Sequence, residues 1–428
     1  MRNDLIVADF MSNTPSIMQI GFVNFNTAEK KRVAKMMQLL QESEAIEELG
    51  IGRVRDHFSN TLFPGTSTLQ HHAKYFVVLS SLYYHTAFKS RKFQNLAEVR
   101  TFIKEAEIQI TRQLAKWDNG QVNTFEKGIT GINTLKDALN DHTKYVKYDP
   151  AYIYGSGLAR YGIIPDTGVE RLILELNKKR FEDPHSNRIP KGEDLTEDAG
   201  DMTGEKQLIM TCGETYDFFN GKTMELSLSE KEASFLKDRI HASCQGSMLA
   251  YLIDSEFEIP DGIKYFDIEK ILAGLTPDVL DIYKKSVLFS KLIHLADWRF
   301  NYRYYYSFGK SDDAEYCDKK YFELLEEYKE DIYNQKAYEA LFDYIRSIDP
   351  MFTEFCKDCY EAIRTGDRSQ LDQLVKTREQ TVKKERSKIG NNAYRDQRRG
   401  NPDPNTFRWE TVRTMVNEIR NPKQDYGR

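Results

Sequence analysis

A mainly α, multi-helical fold with a helix-turn-helix or winged-helix-like middle segment is what three observations on this 428-residue chain predict. Apolar residues recur at three- and four-residue spacing through long blocks, runs that alternate polar and apolar are few, and only 12 prolines and 24 glycines punctuate the blocks. With 40% hydrophobic and 30% charged residues, the composition is that of a globular chain and not of a disordered one. No fixed-period repeat is visible.

The elements follow in order. Thr27 to Leu49 reads as a helix with Val33, Met36, Met37 and Leu40 on one side, ended by Gly50. Arg53 to Leu62 is a second short helix. Pro64-Gly65 makes a turn, after which Thr66 or Ser67 caps a third helix running to about Phe88. Asn95 to Trp117 is amphipathic. Gly128 to Asn140 and Pro150 to Ile164 are short helices joined by a turn, and Val169 to Arg180 is another. The composition then shifts over 181–207. Its centre, Gly192 to Glu205, holds six acids and no base, which reads as a loop or linker.

Leu228-Ser-Glu-Lys-Glu opens a helix through Ile240, and Ser247 to Asp254 adds a short apolar piece. Thr276 to Ser307 has a buried stripe of Leu280, Tyr283, Val287, Leu288, Leu292 and Leu295. Asp313 to Ile345 is helical and Tyr-rich. Phe352 to Arg364 ends at Gly366, Asp367 or Ser369 caps a helix to about Lys388, and a loop of 390–406 leads into a last helix, Phe407 to Ile419. Four units are expected: a helical domain of 1–120, a middle domain of 121–265, a helical bundle of 266–375 and a basic segment of 376–428.

Charge is unevenly spread. The whole chain carries 61 Lys and Arg against 66 Asp and Glu, a net of −5. Residues 376–428 carry 14 against 7, a net of +7, so the remainder carries −12. That excludes a uniformly basic DNA-coating protein but leaves room for a local nucleic-acid site. No run approaches the ~18 apolar residues of a membrane span. The longest, Tyr75 to Tyr84, is broken by Ser80 and Ser81, and the first residues lack a basic region followed by an apolar run. An odd, sparse set of five cysteines suits reduced thiols. The expectation is a cytoplasmic protein with no membrane partner. Cys356-Lys-Asp-Cys359 has no second such pair and no nearby histidine, so it reads as two thiols on a helix and not as a metal site.

Enzyme signatures are missing. Gly155-Ser-Gly-Leu-Ala-Arg-Tyr-Gly162 is not followed by the Lys-Ser/Thr of a phosphate-binding loop, and HExxH, GxSxG and the kinase set are absent. Pro260-Asp261 with Glu269-Lys270 falls short of a nuclease core, because adjacent residues on a strand point to opposite faces. No catalytic residue, cofactor or metal is assigned.

The densest stretch is Glu47 to Phe76, EELGIGRVRDHFSNTLFPGTSTLQHHAKYF. A helix start offers free N–H groups and a positive dipole end to an anion. Arg53 and Arg55 before it, Thr66, Ser67, Thr68 and Gln70 at it, and Lys74 beyond it form a candidate phosphate site. The competing reading is a capped helix start with salt bridges and a Phe63–Phe76 core. The pattern ELGIGxxRDxxSxxLFPGTSTxQ resembles the hallmark of a bacterial family known only as a domain of unknown function. Weaker likenesses lie at Ile153 to Ile163, Ala233 to Ile253, Phe289 to Tyr306 and Phe407 to Ile419. Where the family has basic residues after the Gln, this chain has His71 and His72. The resemblance implies a gene neighbourhood of helicases and phospholipase-D-like nucleases in phage-defence-type loci, hence helicase or nuclease partner proteins, and it transfers no catalytic residue.

Two further segments bear on nucleic acid. Thr134 to Ile164 has the length of a helix-turn-helix, with Tyr152, Tyr154 and Ser156 where a recognition helix would read a groove and Arg160 behind them. The tail holds Lys383, Lys384, Arg386, Lys388, Arg395, Arg398, Arg399, Arg408 and Arg413, with Phe407 and Trp409 interleaved, which suits a phosphate backbone with stacked bases. Of these, Arg398, Arg399 and Arg408 are the candidate DNA ligands; the competing reading is a solvated face with a docked last helix. Asp297 to Tyr306 is rich in Trp, Tyr and Arg and reads first as core. The expected function is a non-enzymatic accessory subunit of an anti-phage defence complex that contacts DNA and partner proteins. The alternatives are an enzyme without a recognisable motif, first of all a metal-dependent nuclease with scattered carboxylates, and a pure protein scaffold.

Overall fold

The computed structural model describes residues 47–166, 168–182, 208–272 and 274–423. Most of the predicted first helix and nearly all of the acidic 181–207 segment lie outside them. The described chain is mainly α-helical, and its only β pairings are isolated bridges, Asp118 with Gln121 and Ser229 with Lys423.

The first helix, α1 (Gly52–Leu62), buries Val54, Phe58 and Leu62. The chain turns at Pro64-Gly65 and enters α2 (Lys74–Phe88). The expected cap at Thr66 or Ser67 is not where this helix begins: it starts at Lys74, its N-cap is Ala73, and no side chain of its own segment caps it. Instead, the Glu418 carboxylate accepts the Ala73 N–H at 2.7 Å from the far end of the chain. An internal anion thus occupies the helix start that the sequence offers to phosphate.

Helix α3 (Leu96–Leu114) is capped by Asn95, whose side chain accepts from Glu98 N. A short helix, α4 (Leu135–Asn140), precedes α5 (Pro150–Arg160), with Asp149 as N-cap and Pro150 at the first position. These are the two helices expected of the helix-turn-helix segment, but Tyr154 does not face a groove: it is fully buried, stacked on Tyr75 at 4.9 Å. Gly157 sits where α5 meets the Pro64-Gly65 turn, and a Cβ there would come within 2.5 Å of the Gly65 carbonyl. Its neighbour Gly155 faces open space.

Helix α6 (Val169–Glu182) packs on α2 and α3. The Ser229 and Glu232 capping box opens α7 (Glu230–Cys244), and Ser247 caps α8 (Met248–Asp254). The long α9 (Pro277–Ser307) is the spine of the second half. Around it lie α10 (Ser311–Glu327), α11 (Lys329–Ile332), α12 (Gln335–Arg346), α13 (Pro350–Thr365) and α14 (Arg368–Lys383). Gly366, at φ +75°, ends α13 in the left-handed conformation that glycine adopts without strain. Cys356 and Cys359 are both buried within α13. The last helix, α15 (Trp409–Arg420), packs on α7 and α8 and buries Trp409 completely, its indole N–H donating to the Ile263 carbonyl at 2.8 Å.

One continuous apolar core runs from Leu49 to Ile419. Its polar clamps are few and buried. Arg299 on α9, only 2% exposed, makes a two-pronged bond to Asp372 on α14 at 2.8 and 2.9 Å and a second ion pair to Asp318 on α10. That locks three helices of the bundle at one point.

Candidate nucleic-acid interface

The hallmark stretch holds its polar residues mostly inward. Lys74, 5% exposed, donates to both Glu232 oxygens at 2.6 and 2.7 Å, and Glu232 also accepts from the Ser229 N–H and the Tyr216 hydroxyl. Thr66 donates its hydroxyl to the Phe63 carbonyl at 2.7 Å. Gln70 is fully buried; its amide donates to the Ile153 carbonyl and its oxygen accepts from Ser67 N, both at 3.0 Å. Arg55 pairs with Glu47 and Asp56. Arg53, Ser67 and Thr68 reach solvent, Arg53 lying 3.5 Å from Asp349. Arg53, Arg55, Thr66 and Lys74 therefore do not converge on one surface pocket: Lys74 faces α7, and Thr66 is tied to its own turn.

The basic tail divides into two sets. The first set turns inward to a single carboxylate at the hallmark's start. Glu48, 9% exposed, is met by Lys388 and Arg399 at 2.7 Å each and by Lys383 at 3.6 Å. Burial disfavours its charge, but Lys388 and Arg399 outweigh that and lower its pKa. Arg408 donates to Asn60 at 2.9 Å and to the Thr66 carbonyl, and Arg413 pairs with Glu410. The second set, Lys384, Arg386, Arg395 and Arg398, faces solvent and makes no ion pair among the described residues.

The fold brings this second set to the aromatic end of α9. The Tyr304 hydroxyl donates to the carbonyls of Tyr394 and Gln397, the latter at 2.8 Å. The Tyr305 hydroxyl accepts from Arg399 N at 2.9 Å, and Ser307 accepts from Gly390 N at 3.0 Å. Tyr304 and Tyr305 are thus buried pins for the loop. Tyr306, 58% exposed, is stacked on Tyr302 at 5.7 Å, with the Arg303 guanidinium 5.4 Å from its centre. The aromatic partners of the basic loop are these tyrosines and not Phe407 and Trp409, which are core residues. Sequence reasoning noted both segments but did not join them, because their link is a set of tyrosine-to-backbone bonds about ninety residues apart in sequence.

Among the described residues, no group of three or more His, Cys, Asp or Glu is placed to hold a metal ion, and no helix is long and apolar enough to cross a membrane. What the fold and this surface define is a mainly α-helical protein with an exposed basic loop pinned to the tyrosine-rich end of α9. Residues 17–173, which contain the hallmark stretch, match a family described as "Family of unknown function (DUF6361)". No curated protein and no solved structure matches the chain.

Proposed function

We propose that this chain is a non-enzymatic accessory subunit of a bacterial anti-phage defence complex, contacting DNA through the 384–398 loop and joining helicase or nuclease partner proteins. The observation that carries the DNA part is a loop whose four solvent-facing cations make no ion pair among the described residues, pinned by Tyr304 and Tyr305 to the end of α9 that also carries the exposed Tyr306. Cations neutralise phosphates and an exposed ring offers a base a stacking face, so the combination suits a nucleic-acid backbone with at least partly unpaired bases. The defence setting, the partners and a cytoplasmic location rest on the family resemblance and the composition.

Gel shifts with single-stranded and duplex DNA at low salt test the reading. Wild type should retard DNA, Arg395→Glu/Arg398→Glu should abolish retardation, and Tyr306→Ala should weaken single-strand binding more than duplex binding. No retardation by wild type, or equal retardation by the double variant, would remove the DNA contact. Co-expression with the helicase and nuclease encoded beside such genes tests the partner part: co-purification supports it, and clean separation refutes it.

A further inference from the structure

A cleft of about 710 Å³ opens between α2, the segment 209–218 and α7. Its size falls within the ~300–1,000 Å³ typical of small-molecule sites. Ser81, His85 and Lys89 line it at four-residue intervals along one face of α2 and its end. The Ser81 side chain is 94% buried, since its exposure is 6%. Among the described residues neither Ser81 Oγ nor His85 Nδ1 has a hydrogen-bond partner, although both atoms are shielded from solvent. Buried polar atoms are normally paired, and turning either side chain toward the cleft would let a ligand there supply the missing bond.

The walls narrow the chemistry. Tyr84, Tyr216, Phe218 and Phe235 give ring surface. Tyr216 is held by the hallmark's own buried pair, its hydroxyl bonded to the Glu232 that Lys74 neutralises. Of the charged residues, Glu214 is offset by Lys231 at 3.4 Å. Lys89 and Arg239 have no carboxylate partner among the described residues, and Arg239 spends only its Nε, on the Tyr161 carbonyl. The lining's two cations and two acids, Glu214 and Asp238, balance in number, and Lys89 and Arg239 are the groups in it that an anion can meet. Burial, with Lys89 and Arg180 adding to it, lowers the pKa of His85 and keeps it a neutral imidazole that can both donate and accept.

We propose that this cleft binds a nucleoside monophosphate: a planar base among the aromatic walls, polar edges on Ser81 and His85, and an anionic phosphate near Lys89 or Arg239. The site shares no residue with the 384–398 loop, so it and the DNA contact can fail separately. Calorimetric titration of the purified full chain with AMP, GMP, CMP and UMP tests it, with adenosine and ribose 5-phosphate as partial ligands. At least one monophosphate should bind with a Kd below about 1 mM, and each partial ligand should bind at least about tenfold more weakly. Lys89→Glu, an exposed change that spares the core, and Ser81→Ala should each weaken the monophosphate about tenfold or more. Absence of binding by all four monophosphates, binding unchanged in both variants, or ribose 5-phosphate binding as well as the nucleotide would each overturn the proposal.

Discussion

Replacing Lys74 by Met separates the two readings of the hallmark stretch. Lys74 and Glu232 have side chains only 6% and 2% exposed and meet at 2.6 Å. Removing one partner of a buried ion pair strands the other charge and typically costs about 3–5 kcal/mol. Here the Ser229 N–H and the Tyr216 hydroxyl would still bond Glu232, so the lower end, about 3 kcal/mol, is expected. With a slope of about 3 kcal/mol per M or more, that is a fall of up to about 1 M in the urea midpoint. The double variant Lys74→Met/Glu232→Leu should recover much of the loss, because no charge is then left buried. DNA affinity should be unchanged in either variant. A Lys74→Met protein within about 1 kcal/mol of wild type but with weakened DNA binding would refute the reasoning and restore Lys74 as a phosphate ligand.

Three further outcomes are expected. Both His72 ring nitrogens face acceptors, Glu418 Oε1 at 2.7 Å and the Lys127 carbonyl, which only the imidazolium satisfies together; burial opposes that charge, but Glu418 and the Lys127 carbonyl outweigh it and raise the pKa. This stabilisation is fully present below about pH 6.5 and is lost as the pH rises through the raised folded value, so urea melts at pH 6 and 8.5 should show a drop that His72→Gln abolishes; an unaltered drop would contradict the pairing. Gly155→Ala should stabilise by about 0.5–1 kcal/mol, as expected for a helix interior with open space, whereas Gly157→Ala must displace the Gly65 carbonyl and should destabilise; thermal melts in which the two changes have the same sign would contradict the close approach. All five cysteines are free and buried, and burial raises the thiol pKa of Cys356 and Cys359, so native protein should react with a thiol reagent far more slowly than unfolded protein; rapid labelling of the native chain would contradict that burial.

Local signals carried most of the helices. The stripe from Leu280 to Leu295 marks α9, Ser229 with Glu232 marks the start of α7, and Gly366 marks the end of α13, since spacing and capping act within a few residues. The start of α2 was not legible. Thr66-Ser67-Thr68 has the composition of a cap, but the partner that satisfies this helix is Glu418, 345 positions away. The same distance hid the fate of the charges. The +7 of the tail is visible in the sequence, yet only the fold shows Lys383, Lys388 and Arg399 gathered on Glu48 and Lys74 turned to Glu232. The cleft beside Ser81 and His85 left no motif, because its lining comes from three separate elements and its signal is two unmet hydrogen bonds.

The salt dependence of DNA binding tests the central claim most directly. If Lys384, Arg386, Arg395 and Arg398 each neutralise one phosphate, log K against log salt should fall with a slope of about −3 on single strands to −4 on duplex. Arg395→Ala/Arg398→Ala should bring that slope toward zero by about 1.4 to 1.8, while Arg399→Ala, whose charge is spent on Glu48, should leave it unchanged. A slope near zero for wild type, or one that responds to Arg399 and not to Arg395 and Arg398, would contradict the account.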